Sequence, residues 1–258
     1  MNSQRKIIGS VQRAIDILNL FDKQHAELGM TEIAQSLNMP KGTVAGLVYT
    51  LDQNNYLDQN PITRKYRLGF KLAERAGILL SQFDLREVAG PVLQDLRNTC
   101  NETVNLAVLD GGHVVYIERL LGTNMLGMRS EIGKREMIHS TALGKAILAW
   151  MSKEEVNNII AQHEFKPITP HTITSPAAFM QELQKTYERG FAIDNEENEL
   201  GGRCVAAPIL DYDEKPVAAI SISVPIQRFP DSHFNIFGLK VHQAARLVSR
   251  KLGSVVAA

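Results

Sequence analysis

The chain has little with which to crosslink itself. Two cysteines, Cys100 and Cys204, in 258 residues are no disulfide framework. The opening MNSQRKIIGS carries basic residues but no apolar segment of the secretory kind. The thiols are therefore expected to stay free, in a cytoplasmic setting. No apolar run approaches the ~18 residues that span a bilayer, so no membrane partner is expected. Net charge is absent as well: 28 Lys and Arg balance 28 Asp and Glu, and no global field draws the protein to a polyanion. Only locally does the balance tip, since residues 1–68 hold eight basic against six acidic side chains. None of the seven histidines falls in an H-x-x-x-H pattern or near a cysteine pair, so no metal and no cofactor are expected. Low-complexity segments and fixed-period repeats are missing too. What is present is 44% apolar and 22% charged residues, a globular composition long enough for one large domain or two ordinary ones.

The first seventy residues read as helices followed by a hairpin. After Ser10, a plausible N-cap, apolar residues at Val11, Ala14, Ile15, Leu18 and Phe21 have helical spacing. Thr31 can cap a second short helix, with Ile33, Ala34 and Leu37 on one face. A third starts near Pro40 and turns Val44, Leu47, Val48 and Leu51 inward. Two short helices joined by a tight turn describe a helix-turn-helix. Tyr56-Leu57 and Lys65–Leu68 read as strands around Asn60-Pro61, with Arg64, Lys65 and Arg67 at or near the tip. The whole is a winged helix-turn-helix, or else a small protein-interaction module. Bound to DNA, the third helix would present Lys41, Gly42, Thr43, Tyr49 and Thr50 to the major groove, and the wing would touch phosphate. Ala45 and Gly46 on the same face offer no hydrogen bond to a base edge.

Residues 70–83 continue as a connecting helix whose stripe of Leu72, Ala76, Leu79 and Phe83 packs either on another subunit or on its own domain. Beyond it, TVNLAVLDGGHVVYIERL reads as two strands about Asp110-Gly111-Gly112. Further strands are expected near Leu126–Arg129, before Asp194, at Cys204–Leu210 and at Val217–Val224. Helices are expected at STALGKAILAWM, after a Ser152/Glu155 capping box, from Pro176 to Glu188 with a stop at Gly190, and from Asp231 to Leu252. Strand pairs and helices in this order suggest an antiparallel sheet covered by helices, an α+β fold.

Within the last strand, Ser221 and Ser223 share one face of a segment that otherwise reads as buried. A buried hydroxyl needs a partner or costs about 1–3 kcal/mol. The partner is protein, or it arrives from outside in a cavity. The helix starting near His139–Ala142 offers free N–H groups to an anion, and Met125, Met128 and Met137 supply adaptable apolar wall. Cys204, His139 and Asp194 are the residue types of a thiol nucleophile, a base and an orienter. Cys204 lies in the aliphatic strand CVAAPIL, however, without a catalytic signature around it.

The stretches SVQRAIDILNLF, MTEIAQSLNMPKGTVAGLVYTL, YRLGFKL, IHSTALGKAILAW and GFAIDNEENELGGRCVAAPILD together resemble the IclR family of bacterial transcriptional regulators over nearly the full length. The resemblance implies a winged helix-turn-helix at 7–69, a linker helix at 70–83 and a GAF-like effector-binding domain at 84–253. It implies homodimers or dimers of dimers on a pseudo-palindromic double-stranded operator, and a small carboxylate-bearing effector such as an organic, sugar or aromatic acid. By motif, the effector would meet Ala142, Leu143, Asp194, Cys204, Ser221 and Ser223, with Met128 as wall and Arg129 as a charge partner if it points inward. Two departures stand out: Ala142-Leu143 replaces a Gly-Ala of acid-binding relatives, and Ala45-Gly46 replaces a polar or basic pair. A DNA-binding protein with a vestigial pocket and a Cys204-dependent enzyme are the alternative readings.

Overall fold

The computed structural model describes residues 7–22, 24–81, 84–124 and 131–255. The chain divides after Gln82 into two compact units.

The first unit is built around a small apolar core of Ile17, Phe21, Leu28, Ile33, Ala34, Val44, Val48 and Leu57. Three helices supply most of it: α1 (Gly9–Leu18), α2 (Met30–Ser36) and α3 (Lys41–Gln53). The buried side of α1 is centred on Ile17 rather than on the expected Val11 and Ile15, which are 54% and 46% exposed. Apolar residues surround α1, so spacing alone could not say which of them find a partner. Capping differs as well. Helix α1 is preceded by Ile8, with Ser10 inside it. In place of Thr31, Gly29 precedes α2, its N–H donating to Glu32 Oε2 at 2.6 Å. The wing pairs β1 (Leu57–Gln59) with β2 (Tyr66–Leu68) antiparallel, and a Leu28–Tyr66 bridge adds a third edge. Asn60 closes the tip: its Oδ1 accepts the Ile62 and Thr63 N–H groups and its amide donates to Glu27. Helix α4 (Lys71–Ser81) follows. Of the stripe expected on it, the side chains of Ala76, Leu79 and Phe83 lie outside the described residues.

The second unit is a six-stranded antiparallel sheet in the order β5-β4-β3-β8-β7-β6. Its strands are β3 (Thr103–Asp110), β4 (His113–Leu120), β5 (Arg135–Met137), β6 (Ala192–Asn195), β7 (Gly202–Leu210) and β8 (Pro216–Pro225). The first hairpin turns on Gly111-Gly112 alone, both at positive φ, while Asp110 stays in the ladder opposite His113; this is the two-residue turn that glycines permit. Strand β5 was not expected, and the strand expected near Leu126–Arg129 lies outside the described residues. One face of the sheet is covered by α5 (Asp84–Cys100) and α9 (His233–Lys251). The other is covered by α6 (Ala142–Ala149), with α8 (Pro176–Arg189) packed on it and α7 (Lys153–Gln162) joining the same apolar core through Val156. The Ser152/Glu155 capping box forms on α7, and α8 stops at Gly190 in the left-handed conformation. Small residues on the α6 side of the sheet, Ala107, Ala192, Ala206 and Ala219, let α6 approach closely.

Candidate functional site

The sheet and the N-terminus of α6 enclose a cavity of about 400 Å³. Its floor follows from strand register. Ser223 on β8 stands opposite Cys204 on β7, which stands opposite Asp194 on β6. Ser221, two residues from Ser223, stands opposite Asn105 on β3. Alternation places all five side chains on the α6 face. The Asn105 amide donates one hydrogen to each serine Oγ, at 3.1 Å in both cases, and the Cys204 thiol donates to Ser223 at 3.1 Å. The serines thus have protein partners and also line the cavity. Because they are used as acceptors, each keeps its own O–H to donate to an occupant.

The roof is α6. Thr141 caps it, its Oγ1 accepting from the Gly144 N–H at 3.1 Å. The Ala142 and Leu143 N–H groups meet no acceptor among the described residues, and both residues line the cavity. Four donors therefore converge: two backbone N–H groups carrying the positive end of the helix and two hydroxyls. On the same floor as the serines is Asp194, 3% exposed. Its Oδ1 accepts the Glu197 and Asn198 N–H groups at 2.8 and 3.3 Å. Burial raises its pKa to about 7, opposed by the cation of Lys145 and assisted by Glu197. Lys145, fully buried on α6, binds Glu197 Oε1 at 2.6 Å, while Glu197 Oε2 has no partner among the described residues. The rim is charged: Lys134 lines the cavity and pairs with Glu136, and Glu199 faces them.

The cavity collects six of the seven residues expected to meet an effector; the seventh, Met128, lies outside the described residues, as do Met125 and Arg129. Sequence reasoning missed Asn105, Tyr116, Thr141, Asn198 and the rim. Asn105 was discoverable as a polar residue alternating with Thr103, Ala107 and Leu109 on one face of β3. Tyr116, Lys134 and Glu136 enter only through the strand order β5-β4-β3.

A thiol-based catalytic arrangement does not assemble. Burial and the nearby Asp194 push the Cys204 thiol far up, away from its nucleophilic form. His139 is occupied elsewhere, with its Nε2 3.0 Å from the Lys166 carbonyl and its Nδ1 2.7 Å from His163 Nε2. The carbonyl can only accept, so Nε2 holds the proton and Nδ1 accepts from His163. Among the described residues no group of three His, Cys, Asp or Glu is disposed to hold a metal ion, and no helix is long and apolar enough to cross a membrane.

In the first unit, Lys41, Gly42, Thr43, Tyr49 and Thr50 all lie on the exposed side of α3. The Thr50 hydroxyl is committed to the Gly46 carbonyl at 2.8 Å. On the wing, Lys65 pairs with Glu32 at 3.2 Å and Arg67 with Asp58 at 2.6 Å, whereas Arg64 is exposed, in the left-handed conformation at the tip.

Comparison with known proteins places these features. Residues 10–61 match the IclR helix-turn-helix domain and residues 78–250 the C-terminal domain of bacterial transcriptional regulators of the IclR type. The HTH-type transcriptional regulator XynR of Escherichia coli is 39% identical over 247 residues, 96% of this chain and 98% of that protein. The regulator KdgR of the same organism is 35% identical over 253 residues, 98% of this chain and 96% of that protein. The crystal structure of the Thermotoga maritima IclR superposes with a TM-score of 0.80 at 34% identity, covering 95% of this chain and 99% of that one. Regulators of this kind bind DNA operators and small-molecule effectors. With an N-terminal helix-turn-helix, a C-terminal α+β unit with a curled antiparallel sheet and such relatives along nearly its whole length, this chain belongs to the IclR family and is a DNA-binding transcriptional regulator, not an enzyme.

Proposed function

We propose that this regulator senses a small hydroxylated carboxylate, bound in the cavity between α6 and the sheet, and that its occupancy alters operator affinity. The observation that carries the reading is the cavity's polarity. Two hydrogen-bond donors, Ala142 N–H and Leu143 N–H, come from the α6 roof, and on the sheet floor the Ser221 and Ser223 hydroxyls stand with a carboxyl group, Asp194. The donors suit a carboxylate and Asp194 suits a hydroxyl of the same molecule. Polar groups with protein partners on one side and open valence on the other are those of a binding site rather than a packed core. Cys204 would line the wall as a small, neutral surface.

Residues 7–69 form the DNA-binding part in this reading, 70–83 the linker helix and 84–253 a GAF-like effector domain. The protein acts as a homodimer or a dimer of dimers, each pair of heads taking a pseudo-palindrome with half-sites about one helical turn apart. Helix α3 enters the major groove through Lys41, Gly42, Thr43, Tyr49 and Thr50, and Arg64, Lys65 and Arg67 approach phosphate. The effector works through its different affinities for two arrangements of the heads; a coupling of about 1–3 kcal/mol corresponds to about 5–150-fold in operator affinity.

A thermal-shift screen of hydroxy acids, followed by gel-shift titration on the protein's own promoter region, tests this. Replacing Ser221 and Ser223 together by Ala should abolish the ligand response and leave operator binding intact. An unchanged ligand response in the double variant would refute the assignment of the cavity, and the absence of any ligand shift in the wild type would favour a vestigial pocket.

A further inference from the structure

The cavity's internal charges do not balance, and Asp194 is the carboxyl that no cation pairs. Around the cavity lie a buried cation and two carboxyls: Lys145 on α6, Glu197 on the β6–β7 connection and Asp194 on β6, with exposures of 0%, 9% and 3%. Lys145 gives its short bond, 2.6 Å, to Glu197. Asp194 receives only backbone N–H groups, both on Oδ1, and among the described residues nothing binds its second oxygen, which is left to the cavity. The groups facing Asp194 from each surrounding element are Lys145 on α6, Glu197 and Glu199 on the β6–β7 connection, Cys204 on β7, Tyr116 on β4, and Lys134 and Glu136 at the β5 edge. With Asp194 ionised, the carboxylates Asp194, Glu197, Glu199 and Glu136 outnumber the cations Lys145 and Lys134 by two.

An anionic ligand held at the α6 N-terminus shares this 400 Å³ space with Asp194. Two carboxylates brought into one small cavity disfavour each other's ionisation. The ligand's carboxylate already has four donors, so the group that gives way is Asp194. We propose that Asp194 is a proton switch within the effector cavity: neutral, it donates a hydrogen bond through its second oxygen to an acid ligand; ionised, it repels that ligand, so that binding of a hydroxy acid takes up one proton from solvent. The inference rests on the hydroxy-acid reading above and adds the protonation state of the site. Its physical basis in the free protein is the burial that already lifts Asp194 to about 7, close to neutrality. A modest change in pH then alters how much acid is needed to release or engage the operator.

The experiment uses full-length protein labelled with carboxyl-13C aspartate, titrated between pH 5 and 9 without ligand and then with D-gluconate as the probe. One aspartate carboxyl, missing from Asp194→Asn, should titrate near neutrality and move to higher pH with gluconate. Gluconate affinity should fall about tenfold per pH unit above that midpoint in the wild type and stay level in Asp194→Asn, which retains the acceptor for the two backbone N–H groups. The switch is overturned if every aspartate titrates in the usual range near 4. It is also overturned if the neutral-range titration survives Asp194→Asn and is lost in Glu197→Gln, or if gluconate binds with the same affinity across the range. If gluconate does not bind at all, the ligand-free titration still decides the switch, and it is the hydroxy-acid reading that suffers.

Discussion

At the scale of single residues, the largest effects are expected where burial leaves no room for compromise. Lys145 is fully buried and holds Glu197. Lys145→Met should destabilise the second unit by about 3–5 kcal/mol, because it strands Glu197 and Asp194 without their cation; urea denaturation measures this. Gly144 of α6 lies against the backbone of the preceding segment, where an added Cβ would meet Ile138 O at 2.4 Å. Gly144→Ala should cost about 1–3 kcal/mol through the forced shift of α6. Gly46 on α3 is the opposite case, with nothing within 4 Å of an added Cβ. Gly46→Ala should stabilise the first unit by about 1 kcal/mol. A simultaneous loss of operator affinity in gel shifts would assign the glycine to close approach by DNA, since the fold itself has no use for it.

At the scale of elements, the recognition helix and the wing differ in how ready they are for a polyanion. The exposed face of α3 is available, apart from the Thr50 hydroxyl already spent on Gly46. On the wing, Lys65 and Arg67 are paired with Glu32 and Asp58, so each must exchange a carboxylate for a phosphate. Arg64 projects from the tip without an ion-pair partner among the described residues. Arg64→Ala should reduce the slope of log affinity against log salt by about 1. Arg67→Ala should reduce it less, because that charge is already compensated. Salt titrations of the two variants side by side test the ranking. Helix ends were legible where a side chain does the capping, as at Ser152/Glu155. They were misread at α1 and α2, where Ile8 and Gly29, which have no capping side chain of their own, precede the helix, and at α2 Glu32 reaches back to the Gly29 N–H instead.

For the whole molecule, two sets of buried groups pull stability in opposite directions with pH. His139 and His163 are held below the ordinary histidine range by burial, His163 down to about 4. Their contribution is present above the unfolded value near 6.5 and is lost as pH falls toward 4. Asp194, raised to about 7, contributes fully below its unfolded value near 3.8 and loses that contribution as pH rises through 7. The slopes oppose one another between about 4 and 6.5, so wild-type stability should change little there. Asp194→Asn should expose a rise in stability with pH over that interval and remove the decline near 7; denaturation midpoints across pH 4–8 check both.

The sequence by itself determined the division into a helix-turn-helix and an α+β unit, the family, and the six residues that the cavity gathers. Periodicity, turn chemistry and motif are local properties, and they were enough. Only the tertiary structure decided which face of α1 is buried, that Asn105 holds both serines, that Lys145 lies near Asp194, and that Lys134 and Glu136 rim the same hollow. Those facts depend on which strands are neighbours and on what packs against them. Residues as far apart as Asn105 and Ser221 meet through the β3–β8 pairing, and no local pattern along the chain encodes such a pairing.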